Sequence, residues 1–236
     1  MFIKIGNLKQ SHYKGIPEMA AYRVHSDIVE LLKPYLKENL YVLDFGCGQG
    51  AFSQRLVDLG MIVDACDIDT GQVKANVNRK IELDLNIEIP VDKFPYQYDI
   101  ILAFEIIEHL QNPWKYLEDC LKLLKKGGII VLTTPNISNF ISRLRFFMRG
   151  SLLAFEKADL KHGHITPLSF IQIENLCTSF GLEILNKGHV GPIPLIHLYE
   201  LSRFTLLRNT ILPLLYPFMS GPKKGRALLY ILRKNE

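Results

Sequence analysis

The sequence has few cysteines and no strong excess of charge of either sign. Its four cysteines, at positions 47, 66, 120 and 177, are scattered and form no Cys-x-x-Cys pair. This pattern disfavours a zinc site or a disulfide framework and favours reduced thiols, so we expect a cytoplasmic protein. The formal net charge is only +4, which gives weak support for nucleic-acid binding, so we expect no DNA partner and rank RNA low.

Long uncharged apolar runs are also missing. No stretch of about 18 such residues occurs, so no membrane-spanning helix is expected. The first fifteen residues lack the apolar centre of a secretion signal. The chain has 236 residues, of which 48% are hydrophobic. That is enough for one sizeable core, and we expect a single domain over residues 1–236.

Short apolar runs alternate with segments of helical periodicity along most of the chain. The predicted helices cover residues 17–37, 51–60, 70–78, 112–126 and 167–181. The predicted strands cover residues 40–45, 61–67, 81–86, 98–107, 129–136, 182–190 and 227–234. This alternation favours an α/β fold, in which a largely parallel sheet carries helices on both faces. Such sheets bind ligands beyond the carboxyl ends of their strands.

A glycine-rich loop follows the first predicted strand of this sheet, in the stretch VLDFGCGQGAFSQRL. Gly46, Gly48 and Gly50 stand within five residues, more than a tight turn requires. Glycines there allow positive φ and let a ligand approach the backbone closely. The loop also satisfies the looser dinucleotide pattern, so a nicotinamide cofactor is one interpretation.

Asp44 stands directly before this loop and argues against that interpretation. A carboxylate so placed would repel a pyrophosphate, whereas it would attract a ligand with an ammonium group and no phosphate. Asp67, at the end of the next strand, suits a ribose under either interpretation. The chain also shows no obvious acid for hydride transfer in a second domain.

Four segments together resemble class I S-adenosylmethionine-dependent methyltransferases, in the branch of the ubiquinone-biosynthesis O-methyltransferases and related small-molecule, lipid and glycan enzymes. They are the glycine loop, VDACDID, the stretch from DLNIEI to TTPN, and HGHITPLSFIQIENLCTSFGLEI. The resemblance covers about residues 12–190. It implies a Rossmann-like seven-stranded sheet, with an N-terminal helical lead over 1–38 and a cofactor-binding core over 39–190.

The resemblance also implies residue roles around S-adenosylmethionine, whose product is S-adenosylhomocysteine. Asp44 and the glycine loop would surround the methionine part, and Asp67 and Ile68 the ribose and adenine. Asp84 and Leu85 match a pair beside the adenine amine. Phe104 and Glu105 match the end of the fourth strand, near the transferred methyl group. Lys-Lys-Gly-Gly at 125–128 departs from the commoner Lys-Pro-Gly-Gly.

The candidate catalytic residues are Glu105, Glu108, His109 and His164. Three interpretations stay open for them. His109 or His164 is a general base that deprotonates an acceptor hydroxyl. Alternatively, the two glutamates with His109 and either His162 or His164 bind a divalent metal. In the third interpretation Glu105 and Glu108 only position the loop, and His109 is a packed structural histidine.

The last part of the chain mixes apolar residues with arginines and prolines. Residues 140–165 and 191–226 are predicted to form a lid over the substrate, which in one hypothesis also touches a membrane surface. The alternatives are a dimer interface or ordinary core. We therefore expect an O-methyltransferase acting on a small-molecule or lipid- or glycan-linked hydroxyl, at the inner membrane surface if the membrane hypothesis holds. The other candidates are a silent methyltransferase-like scaffold and an RNA 2′-O-methyltransferase.

Overall fold

The computed structural model describes residues 11–20, 23–87, 89–191 and 219–235. A seven-stranded sheet forms the centre of this part of the chain. In chain order its strands are β3 (Tyr41–Phe45), β4 (Ile62–Asp67), β5 (Arg79–Glu82), β6 (Tyr98–Phe104), β7 (Leu124–Pro135), β8 (Leu182–Val190) and β9 (Ala227–Lys234). Strands β1 (His12–Tyr13) and β2 (Ile16–Pro17) form a separate small hairpin. The prediction of an α/β sheet is confirmed.

The strand order across the sheet is β5-β4-β3-β6-β7-β9-β8. The first five strands in this order run parallel, and β9 pairs antiparallel with both β7 and β8. The direction in which the chain adds strands reverses between β3 and β6, because the connection after β3 leads towards one edge of the sheet and the connection after β6 leads towards the other. Ligands of open α/β sheets bind at such a switch point.

Helices cover both faces of the sheet. Helices α1 (Val24–Leu32) and α2 (Ala51–Asp58) pack on one face through residues such as Ile28 and Leu56. Helices α3 (Pro113–Leu123) and α6 (Phe170–Ser179) pack on the other through Leu117 and Ile173. Two further helices, α4 (Phe140–Arg149) and α5 (Lys157–Leu160), follow β7. The layered arrangement places every strand end discussed above on one edge.

The helices predicted over 17–37 and 112–126 are wrong in their extent. The helix predicted over 17–37 begins only at Val24, since residues 12–17 form the hairpin, and it ends at Leu32 before a 3-10 turn that contains Pro34. The helix predicted over 112–126 begins at the Asn112 cap, as expected, but ends at Leu123. Residues 124–128 belong to β7 instead, where Leu124 pairs with Tyr98.

The helix predicted over 70–78 is absent apart from a 3-10 turn, Thr70–Gln72. Val73 N–H closes this turn on the carbonyl of Thr70, and beyond it the backbone N–H groups donate to other segments. Lys74 donates to the carbonyl of Gln49, and Asn78 donates to the carbonyl of Val63. The following strand accordingly spans Arg79–Glu82 and not residues 81–86.

The predicted lid segment 140–165 contains α4 and α5, so its structure is more regular than the sequence suggested. Most of the second lid segment, including Arg203 and Arg208, lies outside the described residues. Its last part returns to the sheet edge, where the Asn136 amide donates to the carbonyl oxygens of Pro222 and Lys224 at 3.0 and 2.7 Å. No helix in the described part of the chain is both long and apolar enough to cross a bilayer.

Candidate active site

The glycine loop connects β3 to α2 and takes the conformation that its glycines predict. Gly46, Gly48 and Gly50 have φ angles of 68°, 55° and 84°, which L-residues with side chains rarely adopt. A Cβ on Gly46 would come within 1.9 Å of Ile106 Cδ1. Gly50 caps α2 without a side-chain hydrogen bond, so this helix presents its first N–H groups at the sheet edge. A glycine at position 46 is thus required by the packing against Ile106 as well as by the backbone conformation.

Asp44 lies at the end of β3, beneath the loop. It is 3% exposed, and its Oδ2 accepts a hydrogen bond from Ser53 Oγ of α2 at 2.5 Å. Burial raises the pKa of Asp44 to about 7, helped by the nearby charge of Asp67 and opposed by the Ser53 hydrogen bond. A buried carboxyl that no cation neutralises in this structure is suited to a ligand ammonium.

Asp67 and Ile68 lie at the end of β4, beside the loop. One carboxylate oxygen of Asp67 accepts the Gly48 N–H at 2.8 Å, and the other accepts the Asp69 N–H at 3.2 Å. Ile68 is 67% exposed, so its side chain is free to pack against a flat ligand at this edge. Both residues thus lie beside the glycine loop at the carboxyl edge of the sheet, and their ribose and adenine contacts stay a prediction.

Asp84 and Leu85 lie in the turn after β5. Asp84 Oδ1 accepts the Asn86 N–H at 2.9 Å, which fixes the turn. Leu85 packs partly against the main core. The turn is joined to the end of β4 because Leu83 N–H donates to the carbonyl of Asp67 at 3.0 Å. The structure therefore keeps this pair adjacent to the predicted ribose acid.

The end of β6 carries Phe104 and Glu105. Glu105 has a φ of 51°, a strained conformation for a residue with a side chain. Its N–H donates to Thr133 on β7, and its Oε1 is buried without a hydrogen-bond partner in the described part of the protein. Burial raises its pKa to about 7, while Thr133 and Arg226 oppose the rise. Strain and an unpaired buried oxygen together are typical of a functional position.

Glu108, His109 and His164 form a cluster beside this strand end. Each offers one ligand atom within 4.8 Å of the others. The two imidazole rings stand edge to face, with centroids 4.6 Å apart. Glu108 is fully buried; its Oε2 accepts from Thr134 Oγ1 at 3.0 Å, and its Oε1 has no partner among the described residues. The cluster brings together three of the four candidate catalytic residues.

Backbone contacts hold the two halves of this cluster together. The carbonyl of Glu108 accepts the N–H groups of Ile165 and Thr166, both at 2.9 Å. His164 Nδ1 lies 2.8 Å from the carbonyl of Ala154, which requires Nδ1 to carry the proton. When the ring is neutral, its Nε2 then carries the free lone pair. His162, the alternative partner in the sequence prediction, is exposed and lies outside the cluster.

Two acid–base shifts follow from burial in the cluster. Burial and the adjacent His164 lower the pKa of His109, so its ring is neutral at neutral pH. Burial, with the charge of Glu105, raises the pKa of Glu108 well above its usual range. A neutral imidazole beside a carboxyl can accept a proton or bind a divalent cation. The geometry is therefore compatible with both the base and the metal interpretations.

A cavity opens between the N-terminal segment and the strand ends. Its lining includes Asp44, Gly46 and Glu105 from the sheet edge and Met19 and His25 from the N-terminal side. His25 is the residue that the sequence prediction missed. Its spacing in the sequence could have identified it. His25, Ile28 and Leu32 stand at i, i+3 and i+7, which places His25 on the face of α1 that packs on the sheet.

Known proteins resemble this chain in sequence and in fold. The sequence model of a family described as "Methyltransferase domain" matches residues 18–187. The chain belongs to this family. It is a class I S-adenosylmethionine-dependent methyltransferase, and the scaffold and nicotinamide alternatives fall with that assignment.

The relatives of this methyltransferase show how far the likeness extends. A "Ubiquinone biosynthesis O-methyltransferase" of Coxiella burnetii is 30% identical over 172 residues, 69% of this chain and 72% of the relative. One of Caulobacter vibrioides is 35% identical over 106 residues, only 42% of either chain. A SAM-dependent methyltransferase from Archaeoglobus fulgidus superposes with a TM-score of 0.61 over 89% of this chain and 94% of its own, at 18% identity. That last likeness shows the fold alone.

The residues of the methyltransferase fit its cofactor. The methionine end of S-adenosylmethionine carries an ammonium, and the cavity supplies the buried Asp44 carboxyl. The adenosine end is flat and hydroxylated, and the edge supplies Asp67 and the exposed Ile68. The glycines keep side chains out of the space between them.

Proposed function

We propose that this methyltransferase transfers the methyl group to a hydroxyl of a small-molecule or lipid- or glycan-linked acceptor. The observation that carries the proposal is the cluster of Glu108, His109 and His164 beside the end of β6. A hydroxyl is a weak nucleophile until its proton is removed, and a neutral imidazole placed beside it can accept that proton. The 30% identical relative, named a ubiquinone biosynthesis O-methyltransferase, supports the same class of reaction.

In this proposal the chain's own residues perform alignment and proton removal. S-adenosylmethionine supplies an electrophilic methyl group on a sulfonium sulfur. Asp44, the glycine loop and Asp67 would hold its two ends, and Glu105 would lie beside the bound cofactor. His109 or His164 Nε2 accepts the acceptor's proton as its oxygen attacks in line. Thr134 holds the Glu108 carboxyl in place beside the two imidazoles.

The same cluster fits a divalent cation. Glu108 Oε1 and His164 Nε2 are available donors, and His109 adds a second imidazole. One carboxylate and two imidazoles suit a transition-metal ion better than they suit magnesium. Such a metal would lower the pKa of an acceptor hydroxyl.

The test is methyl transfer from radiolabelled S-adenosylmethionine to a panel of acceptors: catechols, polyprenyl phenols, lipid-linked sugars and their amine analogues. We expect labelling of hydroxyl acceptors and no labelling of their amine analogues. Labelling of the amine analogues alone would overturn O-methylation. Labelling of RNA alone would favour the RNA 2′-O-methyltransferase candidate.

The surface of α4 supports an acceptor presented at an anionic membrane. Its last turn exposes Phe146, Phe147 and Met148 in succession, and Phe147 is 87% exposed. Arg145 and Arg149 flank these apolar residues. The surrounding segment 140–165 carries five basic and two acidic side chains. Apolar side chains bordered by arginines are the pattern of a helix that lies in the membrane interface.

Replacing Phe147 by glutamate is therefore expected to reduce binding to phosphatidylglycerol vesicles by about 10-fold or more. The change removes an aromatic side chain that would insert into the bilayer interface, and it adds a negative charge that the anionic lipid repels. Vesicle co-sedimentation measures this, and the same change at the exposed Ile171 of α6 is the control. Equal binding of the wild type to neutral and anionic vesicles, or to none, would contradict the proposal. A concentration-dependent dimer that the substitution disrupts would instead assign the face to a second copy of the chain.

A further inference from the structure

His25 is a buried histidine that the mechanism above does not use. It lies on α1, is 7% exposed, and lines the cavity together with Asp44 and Glu105. Its Nδ1 is buried and has no hydrogen-bond partner in the described part of the chain. An unpaired buried polar atom costs free energy, and because His25 lines the cavity, a ligand bound there is a candidate for the missing partner.

The surroundings of His25 fix the ring without satisfying this nitrogen. The ring meets Phe52 of α2 edge to face at a centroid distance of 5.3 Å. The nearest acid, Glu18, lies 3.9 Å from Nδ1 and is already bonded to Arg55. The Glu18–Arg55 pair therefore does not supply the missing partner.

The electrostatic setting keeps the ring neutral before a ligand arrives. Burial lowers the pKa of His25 to about 4; Glu18 opposes this effect and Arg55 adds to it. The other ionisable groups of the cavity wall are Asp44, Cys47 and Glu105. No lysine or arginine is among the described lining residues, so His25 is the strongest side-chain N–H donor on this wall.

The chemistry of the cavity identifies the group that would bind His25. The methionine end of the cofactor carries an ammonium and a carboxylate. Asp44 serves the ammonium, and a carboxylate in a desolvated site needs N–H donors. We infer that His25 donates a hydrogen bond to the carboxylate of the bound S-adenosylmethionine and so acts as a cofactor-binding residue. This inference rests on the proposed placement of the methionine end beside Asp44.

The inference predicts a loss that depends on the ligand carboxylate. His25→Leu keeps the volume but removes the donor, and we expect it to weaken S-adenosylhomocysteine binding by about 10- to 100-fold, the range for a hydrogen bond to a charged group. Binding of decarboxylated S-adenosylmethionine should change less than about 3-fold. His25→Asn returns an amide N–H near the Nδ1 position and should restore much of the affinity. Calorimetry at pH 7.5 measures all three, with His162→Leu as the control.

The outcomes separate this inference from the proposed function. If the wild type binds no S-adenosylhomocysteine, the cofactor placement itself fails. If the wild type binds it and His25→Leu binds it equally well, only the His25 inference is overturned. Equal losses for both ligands would also overturn it, because a purely structural role weakens both.

Discussion

Replacing Asp44 by asparagine is expected to weaken S-adenosylmethionine binding by about 30-fold or more. The carboxyl is buried, and the ligand ammonium would lie beside it with little water to screen the pair. Removing one partner of such a pair costs about 2–5 kcal/mol. Asparagine keeps the shape and can still accept the Ser53 hydrogen bond, so the change isolates the charge.

The pH dependence gives this prediction a second readout. The pKa of Asp44 is raised to about 7 in the unliganded protein, and only the ionised form attracts an ammonium. Wild-type affinity should therefore rise with pH up to about 7 and then level off. The variant should lose most of this rise, and the remainder would come from Glu105, whose pKa is also raised to about 7.

As pH rises, the stability of the protein without cofactor should fall while its affinity for the cofactor increases. A carboxyl with a raised pKa binds more protons in the folded state than in the unfolded state. The free energy of unfolding therefore falls as pH rises from about 4 to 7. The asparagine variant, without cofactor, should be more stable than the wild type at pH 8, on the order of 2–4 kcal/mol.

Isothermal calorimetry and thermal unfolding test the Asp44 prediction, with the exposed Asp92→Asn as the control. A change in dissociation constant below about 3-fold would place the ammonium elsewhere. A destabilised variant at pH 8 would show that the carboxylate is stabilised by partners that this structure does not contain.

Substitution of His109 by alanine is expected to lower kcat by about 100- to 10,000-fold, the usual contribution of a positioned general base. His164→Ala should show a comparable loss, because the two rings touch and the Glu108 backbone binds both segments. Binding of S-adenosylhomocysteine should stay within about 3-fold for both variants. The exposed His162→Ala, two residues from His164, is the matched control and should keep full activity.

A chelator distinguishes the two chemical interpretations of this cluster. If a histidine alone is the base, EDTA leaves kcat unchanged, and the rate rises with pH to a plateau that begins below the ordinary histidine pKa of about 6.5, since the pKa of His109 is lowered. If a metal is used, EDTA abolishes activity, and both variants also lose metal binding by calorimetry. Unchanged turnover of His109→Ala would rule out both and would favour the interpretation in which His109 is a packed structural histidine.

The sequence predicted the sheet and the strand-end residues because these depend on local signals. Apolar runs gave the buried strands, and the Asn112–Pro113 pair marked the start of α3. It failed where tertiary hydrogen bonds decide the outcome, as at residues 74–78, where the N–H groups of Lys74, Asn76 and Asn78 donate to the glycine loop, α2 and β4. For the metal interpretation it could not choose between His162 and His164 as the second imidazole, since that choice depends on a turn with Gly163 at a φ of 87°.

Strand β9 has a consequence for the order in which the protein assembles. It lies between β7 and β8, although its residues come last of the three in the chain. Strand β9 joins β7 through pairs about 100 residues apart in the chain, such as Ile129 with Arg233. Strands β3, β4 and β6, which carry Asp44, Asp67 and Glu105 at their ends, pair over shorter separations, such as Tyr41 with Ile62 and Val42 with Ile100. Among the described strands β8 pairs only with β9, so it has no partner in the sheet until residues 227–234 arrive. Long-range pairings form slowly. The cofactor half can thus form first, and the half that bears α6 and β8 joins it only when β9 closes the gap.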